Sequence, residues 1–320
     1  MEKLDQPNAV DNDRLPLVCV CKSKTKLLIR GDVYICSDNK CVHSDLGGGF
    51  KIIDGIPLII SKSHTDTVFN PDQIQTYVKR QGPRLATLRA FFSIPSKVTI
   101  KNAGAFVSKI KENQATPKIL IIGSAEKGSG TEEIWTDCDI ERYGVDVYAT
   151  QSVDVICDAH YIPYGDSVFD GVWIQAVLEH VLEPNKVVGE IHRVLKDGGV
   201  VYAETPFMQQ VHEGAYDFTR YTVLGHRYLF RDFEALDFGG NKGANVSLAW
   251  SLKYFAWAIT RSHIVARIVG IIAGFLLKPF GYLLSKESLF DSSSGVFFLG
   301  KKSNLRLAHK DIIKLYRGHI

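Results

Sequence analysis

The segment at residues 204–222, Glu204-Thr-Pro-Phe-Met-Gln-Gln-Val-His212-Glu213-Gly-Ala-Tyr216-Asp217-Phe218-Thr-Arg220-Tyr221-Thr222, gathers ionisable and aromatic groups in a short stretch. His212 can take a proton from an acceptor hydroxyl or amine, Glu213 or Asp217 can orient it, and Arg220 can hold an anionic substrate group. The same residues admit a structural account, in which Asp217 and Arg220 form an ion pair that fixes the loop and His212 packs beneath it. His180 also has two readings, proton handling and packing at the start of a helix. A second set is the glycine-rich run Gly123-Ser-Ala-Glu-Lys-Gly128-Ser-Gly130. Glycines there let backbone approach a ligand and leave the amides of a following helix free. A third is Cys19, Cys21, Cys36 and Cys41, four thiols able to hold zinc tetrahedrally. Their C-x-C and C-x4-C spacings depart from the usual two-residue knuckle, which leaves open a ribbon without metal or a site completed by His43. Cys138 and Cys157 read as ordinary buried thiols.

These groups need a scaffold, and the sequence predicts one. Lys118 to Gly123 is a buried-strand pattern running into the glycine loop. Strands are also expected at Arg142 to Val147, with Asp146 near its end, at Val153 to Cys157, ending at Asp158-Ala159, and at Phe169 to Ile174. Apolar residues from Val177 to Leu195 recur at helical spacing, broken at Glu183-Pro184. Asp197-Gly198-Gly199 is expected to stop the second helix, before a strand at Val200 to Ala203. Strand, helix, strand closes as a parallel crossover. The 204–222 segment then falls in a loop at the carboxyl edge of a doubly wound sheet, where ligands bind.

In DAHYIPYGDSVFDGVWIQAVLEHV and RVLKDGG the chain resembles the class I methyltransferases that use S-adenosylmethionine, in their type 11 branch. The resemblance covers about residues 116–240, with a last strand near Val296 to Gly300. It implies a Rossmann-like, doubly wound, seven-stranded α/β sheet and S-adenosylmethionine as cofactor. It would set Gly123, Ser124 and Gly128 against the methionine part, Asp146 on the ribose hydroxyls, Asp158 and Ala159 at the adenine edge, and Gln175 and Ala176 beside the sulfonium. The family's usual acid before the glycine loop is missing, since Ile121-Ile122 stand there, and Glu126 is a candidate replacement. Asp146 and Asp158 also read as strand-end or turn carboxylates. Residues 15–60, ending in Asp54-Gly-Ile-Pro-Leu, resemble the small zinc-ribbon domain fused or bound to some methyltransferases.

The expected organisation is a zinc-ribbon-like β domain at 1–62, a helical connector or lid at 63–115 centred on Thr87 to Phe92, the methyltransferase domain at 116–305, and a tail at 306–320. A helical insertion at about 246–290 precedes the last strand. Within it, residues 246–284 are apolar nearly all round, with Trp250, Trp257 and Tyr282, but Arg267, Lys278 and Pro279 interrupt them. The readings are a membrane-surface helix, a packing or homodimer face, and, least suited in length, a spanning segment. A net charge of +3 and no basic run interleaved with aromatics give no strong nucleic-acid signal. A polar start and no paired-cysteine framework point to the cytoplasm, with the inner face of the membrane as an extension. The reading is a methyltransferase acting on oxygen or nitrogen of a small-molecule, glycan or lipid-linked acceptor. Its rivals are an RNA or protein methyltransferase and a non-catalytic scaffold that keeps the fold.

Overall fold

The computed structural model describes residues 15–65, 67–69, 96–112 and 114–319; the expected centre of the connector, Thr87 to Phe92, lies outside them. The apolar runs become central parallel strands: β5 (Lys118–Ile122), β6 (Glu141–Asp146), β7 (Val155–Cys157) and β8 (Phe169–Gln175). In β5 the side chains alternate, Ile119 and Ile121 entering the core on one face and Leu120 and Ile122 the core on the other. A strand covered on both sides has no polar face to show, and KILII has none. Beyond β8 the sheet continues through β9 (Leu195–Pro206), β10 (Phe233–Gly240) and β11 (Gly295–Lys302). The order is β7-β6-β5-β8-β9-β11-β10, with β11 antiparallel to both its neighbours. The last expected strand is thus found, inserted between the two before it.

Four amino-terminal strands, β1 (Leu27–Arg30), β2 (Val33–Cys36), β3 (Phe50–Ile53) and β4 (Ile56–Ile59), form the expected ribbon. It is continuous with the large sheet: β4 pairs parallel with β7, Leu58 opposite Ile156 and Ile59 opposite Cys157. Edge β7 would otherwise present unpaired amides and carbonyls, and the apolar β4 covers them. Leu17, Tyr34 and Phe50 of the ribbon share one core with Tyr143, Tyr164 and Phe169.

Part of the connector also belongs to the main core. Helix α1 (Lys97–Lys111) starts at Ser96, whose hydroxyl accepts from the amides of Val98 and Thr99. It buries Phe106 edge-on against Trp173, which stacks on Tyr202 at 4.0 Å. Gly171 makes room, because a Cβ there would stand 2.7 Å from the Phe106 ring.

The remaining α-helices among the described residues are α2 (Glu132–Thr136), α3 (Pro184–Val194), α4 (Val223–Leu229), α5 (Ala244–Thr260), α6 (His263–Leu277) and α7 (Ser288–Ser292). Three expectations change. Residues 178–180 form a single 3₁₀ turn rather than a first helix. Asp197-Gly198-Gly199 does not end α3, which stops at Val194; it lies within β9, where the pairing slips between Phe169–Leu195 and Gly171–Val200, and Gly198 at φ 75° turns the irregularity. Cys157 is buried as expected, but Cys138 is exposed, because it sits in the turn that leads from α2 into β6.

Helices α5 and α6 form a hairpin whose packing explains the apolar insertion. The residues it buries are small, Ser247, Ala249, Ala266 and Ala273, and its large side chains face outward, with Phe255, Ile259, Ile264, Phe275 and Leu276 all exposed.

Candidate active site

Four strand ends converge on one edge. Gly123 leaves β5 at φ 82°, a conformation only glycine adopts freely, and a Cβ there would collide with Val177. Ser124 is buried, and among the described residues its hydroxyl has no hydrogen-bond partner. Gly128 faces Gln175, whose Oε1 would stand 2.1 Å from a Cβ at that position; Gln175 also donates to the Ser129 carbonyl at 3.4 Å. Glu126 is exposed on the loop. Asp146, at the tip of β6, accepts from the amides of Ala125 and Tyr148 at 2.9 and 3.1 Å, tying the glycine loop to its own strand end. Ala176 follows β8 in a left-handed conformation at φ 55°, a strained backbone for a residue with a Cβ.

Asp158 and Ala159, after β7, are both buried. Asp158 accepts from the amide and ring Nδ1 of His160 at 2.9 and 2.5 Å and from the Thr67 hydroxyl. Burial pushes its carboxyl up, but the His160 ring and Thr67 outweigh it and hold it below the usual range. His160 Nε2 accepts in turn from the Glu183 amide. Neither Thr67 nor His160 stood out in the sequence. The DAH triplet, which puts an imidazole two residues after a carboxylate, was the available signal for His160. Asp170, by contrast, sits at the amino end of β8 and takes the Lys118 amide and the Lys196 ammonium, away from this edge.

The 204–222 segment lies at the same edge, closed onto the turn at 178–180. The carbonyl of Glu179 accepts from the amides of Phe218 and Thr219, and His180 Nδ1 donates to the Tyr216 carbonyl at 2.7 Å. Arg220 donates from all three guanidinium nitrogens, to both oxygens of Asp217 and to the carbonyls of Gln209, Gln210 and Thr219. Asp217 also accepts from the His212 amide, with His212 Nδ1 3.2 Å from its Oδ2. Burial works against this carboxylate, yet Arg220 and His212 bring it down to about 2. The pair therefore fixes the loop, as the structural account supposed. Glu213 opens the 3₁₀ turn at 214–216.

Glu179 is the residue that sequence reasoning missed here. It is completely buried, and no donor among the described residues reaches either of its oxygens. Burial pushes its carboxyl up to about 8. Its signal was a charge inside the apolar run Val177-Leu-Glu-His-Val181. Beside the loop an open cavity of about 520 Å³ is lined by Gln209 to Val211, Asp217 to Arg220 and Tyr254. Tyr254 comes from α5 and donates to the Val211 carbonyl. Across the cleft Phe69 lies parallel to Tyr216 at 6.1 Å, two residues after the Thr67 that touches Asp158.

In the ribbon, Cys19, Cys21, Cys36 and Cys41 bring their sulfurs within 4.8 Å of one another. Cys19 and Cys41 are 3.8 Å apart and Cys21 and Cys36 4.0 Å. Four sulfurs about 2.3 Å from one zinc ion lie roughly 3.8 Å apart, so the set fits a tetrahedral ion. His43 turns instead to the Ser61 hydroxyl at 2.7 Å and stacks on Phe50.

The strand order, with its antiparallel β11 slotted between β9 and β10, and the glycine turn after β5 are those of the Rossmann-like methyltransferase fold, whose class I members use S-adenosylmethionine. Residues 124–203 match the family model described as a methyltransferase domain. Among curated proteins the chain is similar to two ubiquinone/menaquinone biosynthesis C-methyltransferases UbiE. That of Ralstonia pickettii is 32% identical over 107 residues, 31% of this chain and 44% of the relative, and that of Desulfotalea psychrophila 38% over 53 residues, 16% and 22%. The chain thus spans less than half the length of either. Similar solved structures include a SAM-dependent methyltransferase from Archaeoglobus fulgidus, 15% identical, covering 69% of this chain and all of that one at a TM-score of 0.42. Another is phosphoethanolamine N-methyltransferase 2 from Haemonchus contortus, 15% identical, covering 63% and 52% at 0.40.

Proposed function

We propose that the protein is an S-adenosylmethionine-dependent methyltransferase acting on an oxygen or nitrogen of a small-molecule, glycan or lipid-linked acceptor. The observation that carries this is the convergence, at one sheet edge, of the glycine turn, the Asp146 and Asp158 strand ends and a separate open cavity beside the 204–222 loop. Gly123, Ser124 and Gly128 would lie along the methionine part, with the orphaned Ser124 hydroxyl available to it; Asp146 would take the ribose, Asp158 and Ala159 the adenine, and Gln175 and Ala176 the region of the sulfonium. The bound cofactor supplies an activated methyl group. Transfer is a direct displacement, so the chain's main task is alignment of nucleophile and methyl. The loop stapled by Asp217 and Arg220 does that, and His212 or His180 accepts a proton where the acceptor must lose one. The relatives' name adds carbon as an acceptor atom to be tried.

The lipid-linked option has its own support. From Asn241 to Lys286 the chain holds six lysines and arginines and no acidic residue. The α5–α6 hairpin turns its large apolar side chains outward, and no helix among the described residues is long and apolar enough to cross a membrane. Such a surface suits the headgroup layer of an anionic membrane. Tyr254 joins that hairpin to the wall of the acceptor cavity. We also propose a structural zinc on the four ribbon cysteines.

Calorimetric titration with S-adenosylmethionine tests the reading. Micromolar binding, lost in Asp146→Ala and Asp158→Ala, is expected; no binding to folded protein would favour the scaffold reading.

A further inference from the structure

Glu179, His180 and His212 bring a carboxylate oxygen and two imidazole nitrogens within 4.8 Å of one another. His180 Nε2 is 3.7 Å from Glu179 Oε1 and His212 Nε2 3.9 Å from the same oxygen. These separations are too long for hydrogen bonds. The opposite ring nitrogens explain which atoms face inward. His180 Nδ1 lies against the Tyr216 carbonyl, which can only accept, and His212 Nδ1 against the Asp217 carboxylate. Each ring is therefore held with its proton on Nδ1 and a lone pair on Nε2, the tautomer that ligating histidines keep through an outer acceptor. Both Nε2 atoms lie within 3.9 Å of one oxygen of a fully buried carboxyl that no hydrogen-bond donor among the described residues reaches. Three potential ligand atoms thus face one point, where the proton of the raised Glu179 carboxyl stands in the absence of an ion and which a metal ion can occupy by displacing that proton. Arg220 does not serve, since its guanidinium is engaged with Asp217 and three carbonyls.

We propose that Glu179, His180 and His212 form a divalent metal site at the acceptor end of the cleft. Two imidazoles and one carboxylate suit zinc or a first-row transition ion and leave coordination positions open. Donors about 2.1 Å from an ion lie roughly 3.0–3.4 Å apart, so binding requires the two rings, now 3.7 and 3.9 Å from Glu179 Oε1, to close on it by about 0.3–0.9 Å. The ligands themselves do not line the cavity, but their neighbours Val211 and Asp217 do, so an acceptor oxygen reaching past that wall would meet the open positions and be polarised. The substrate class is then one that presents a hydroxyl or adjacent oxygen ligands. The site goes beyond the methyltransferase reading and would replace the histidines' proton-accepting role in it, since both Nε2 lone pairs would be on the ion; its test does not depend on that reading.

Manganese(II) is a suitable probe, because four thiolates discriminate against it. Titrating the full chain with Mn²⁺ and following the free-ion electron paramagnetic resonance signal should show one ion bound at micromolar affinity. Glu179→Gln, which keeps the side chain's shape, and His212→Gln, which lies nearer the surface, should each weaken binding at least about tenfold. A Cys36→Ser variant should bind Mn²⁺ as the wild type does. An undiminished free-ion signal with wild-type protein, or equal binding by wild type and both site variants, would overturn the proposal, whatever the outcome with S-adenosylmethionine.

Discussion

Replacing Glu190 by Gln changes one atom and should loosen the joint between the ribbon and the catalytic domain. Glu190 receives the Lys24 ammonium of the ribbon at 3.1 and 3.2 Å, the Ile162 amide at 3.0 Å, and Arg193 through Nε and Nη2 at 2.7 and 2.8 Å. Its side chain is 13% exposed and that of Arg193 16%. Removing one partner of a buried pair costs about 3–5 kcal/mol. Arg193 keeps the Tyr164 and Ile162 carbonyls and an exposed Asp166, and Lys24 is itself a third exposed, so a loss of about 2–3 kcal/mol is expected. Burial raises the Glu190 carboxyl, but Arg193 and Lys24 outweigh it and its net shift is downward from 4.5. The stabilisation is thus complete above about 4.5 and drains as pH falls through the folded value. Urea unfolding of wild type and Glu190→Gln at pH 7 and pH 3 should show the gap at pH 7 and a narrower one at pH 3. Equal gaps at the two pH values would refute the charge argument, and a gap under about 0.5 kcal/mol would mean the pair behaves as a surface one.

Elemental analysis of protein purified without chelator should find zinc at one per chain, absent from Cys36→Ser. Because the ribbon's Leu17, Tyr34 and Phe50 share the main core, that variant should also become open to proteolysis within residues 15–62; substoichiometric zinc in the wild type would defeat the assignment. For the hairpin, flotation with phosphatidylcholine–phosphatidylglycerol vesicles should carry the wild type upward. Phe275→Gln with Leu283→Gln should reduce binding at least about tenfold, since each such side chain contributes about 1.5–3 kcal/mol when fully buried. A wild type that stays at the bottom and sediments as a dimer would assign the surface to self-association instead.

The parts of the molecule written in periodicity were legible. KILII, the strand ending at Asp146, VIC and FDGVWI each fall on a central strand within a residue or two. What the sequence hid was pairing between distant segments. Nothing in Ile56-Pro-Leu-Ile59 marks Val155–Cys157 as its partner, so the ribbon read as a separate domain although it extends the sheet. Asp197-Gly-Gly carried the signature of a helix end, yet the pull of parallel pairing with Phe169 drew Leu195 into the strand and left the glycines to absorb the slip. At the site, the reactive residue types were found but not their allegiances: Arg220 is committed to its own loop, while Glu179, read only as part of a motif, is a buried carboxyl that no hydrogen-bond donor among the described residues reaches.

The two ends of the cleft are held by different parts of the chain, and this separates their failures. The loop bearing Asp158 is braced by the ribbon side, through Glu190 on the Ile162 amide, Lys24 on Glu190, and the Val18 amide on the Pro163 carbonyl. The 204–222 loop is braced by the hairpin side, through Tyr254 on Val211 and Ser251 on Gln210. Losing the ribbon metal should therefore weaken S-adenosylmethionine binding while leaving the acceptor loop closed on Glu179. Disturbing the α5 face should do the reverse, altering acceptor use while cofactor affinity holds. A single rigid cleft would lose both together, because coupling of that kind requires one packed body between the sites, whereas the bracing contacts named here reach the two loops from opposite edges of the sheet.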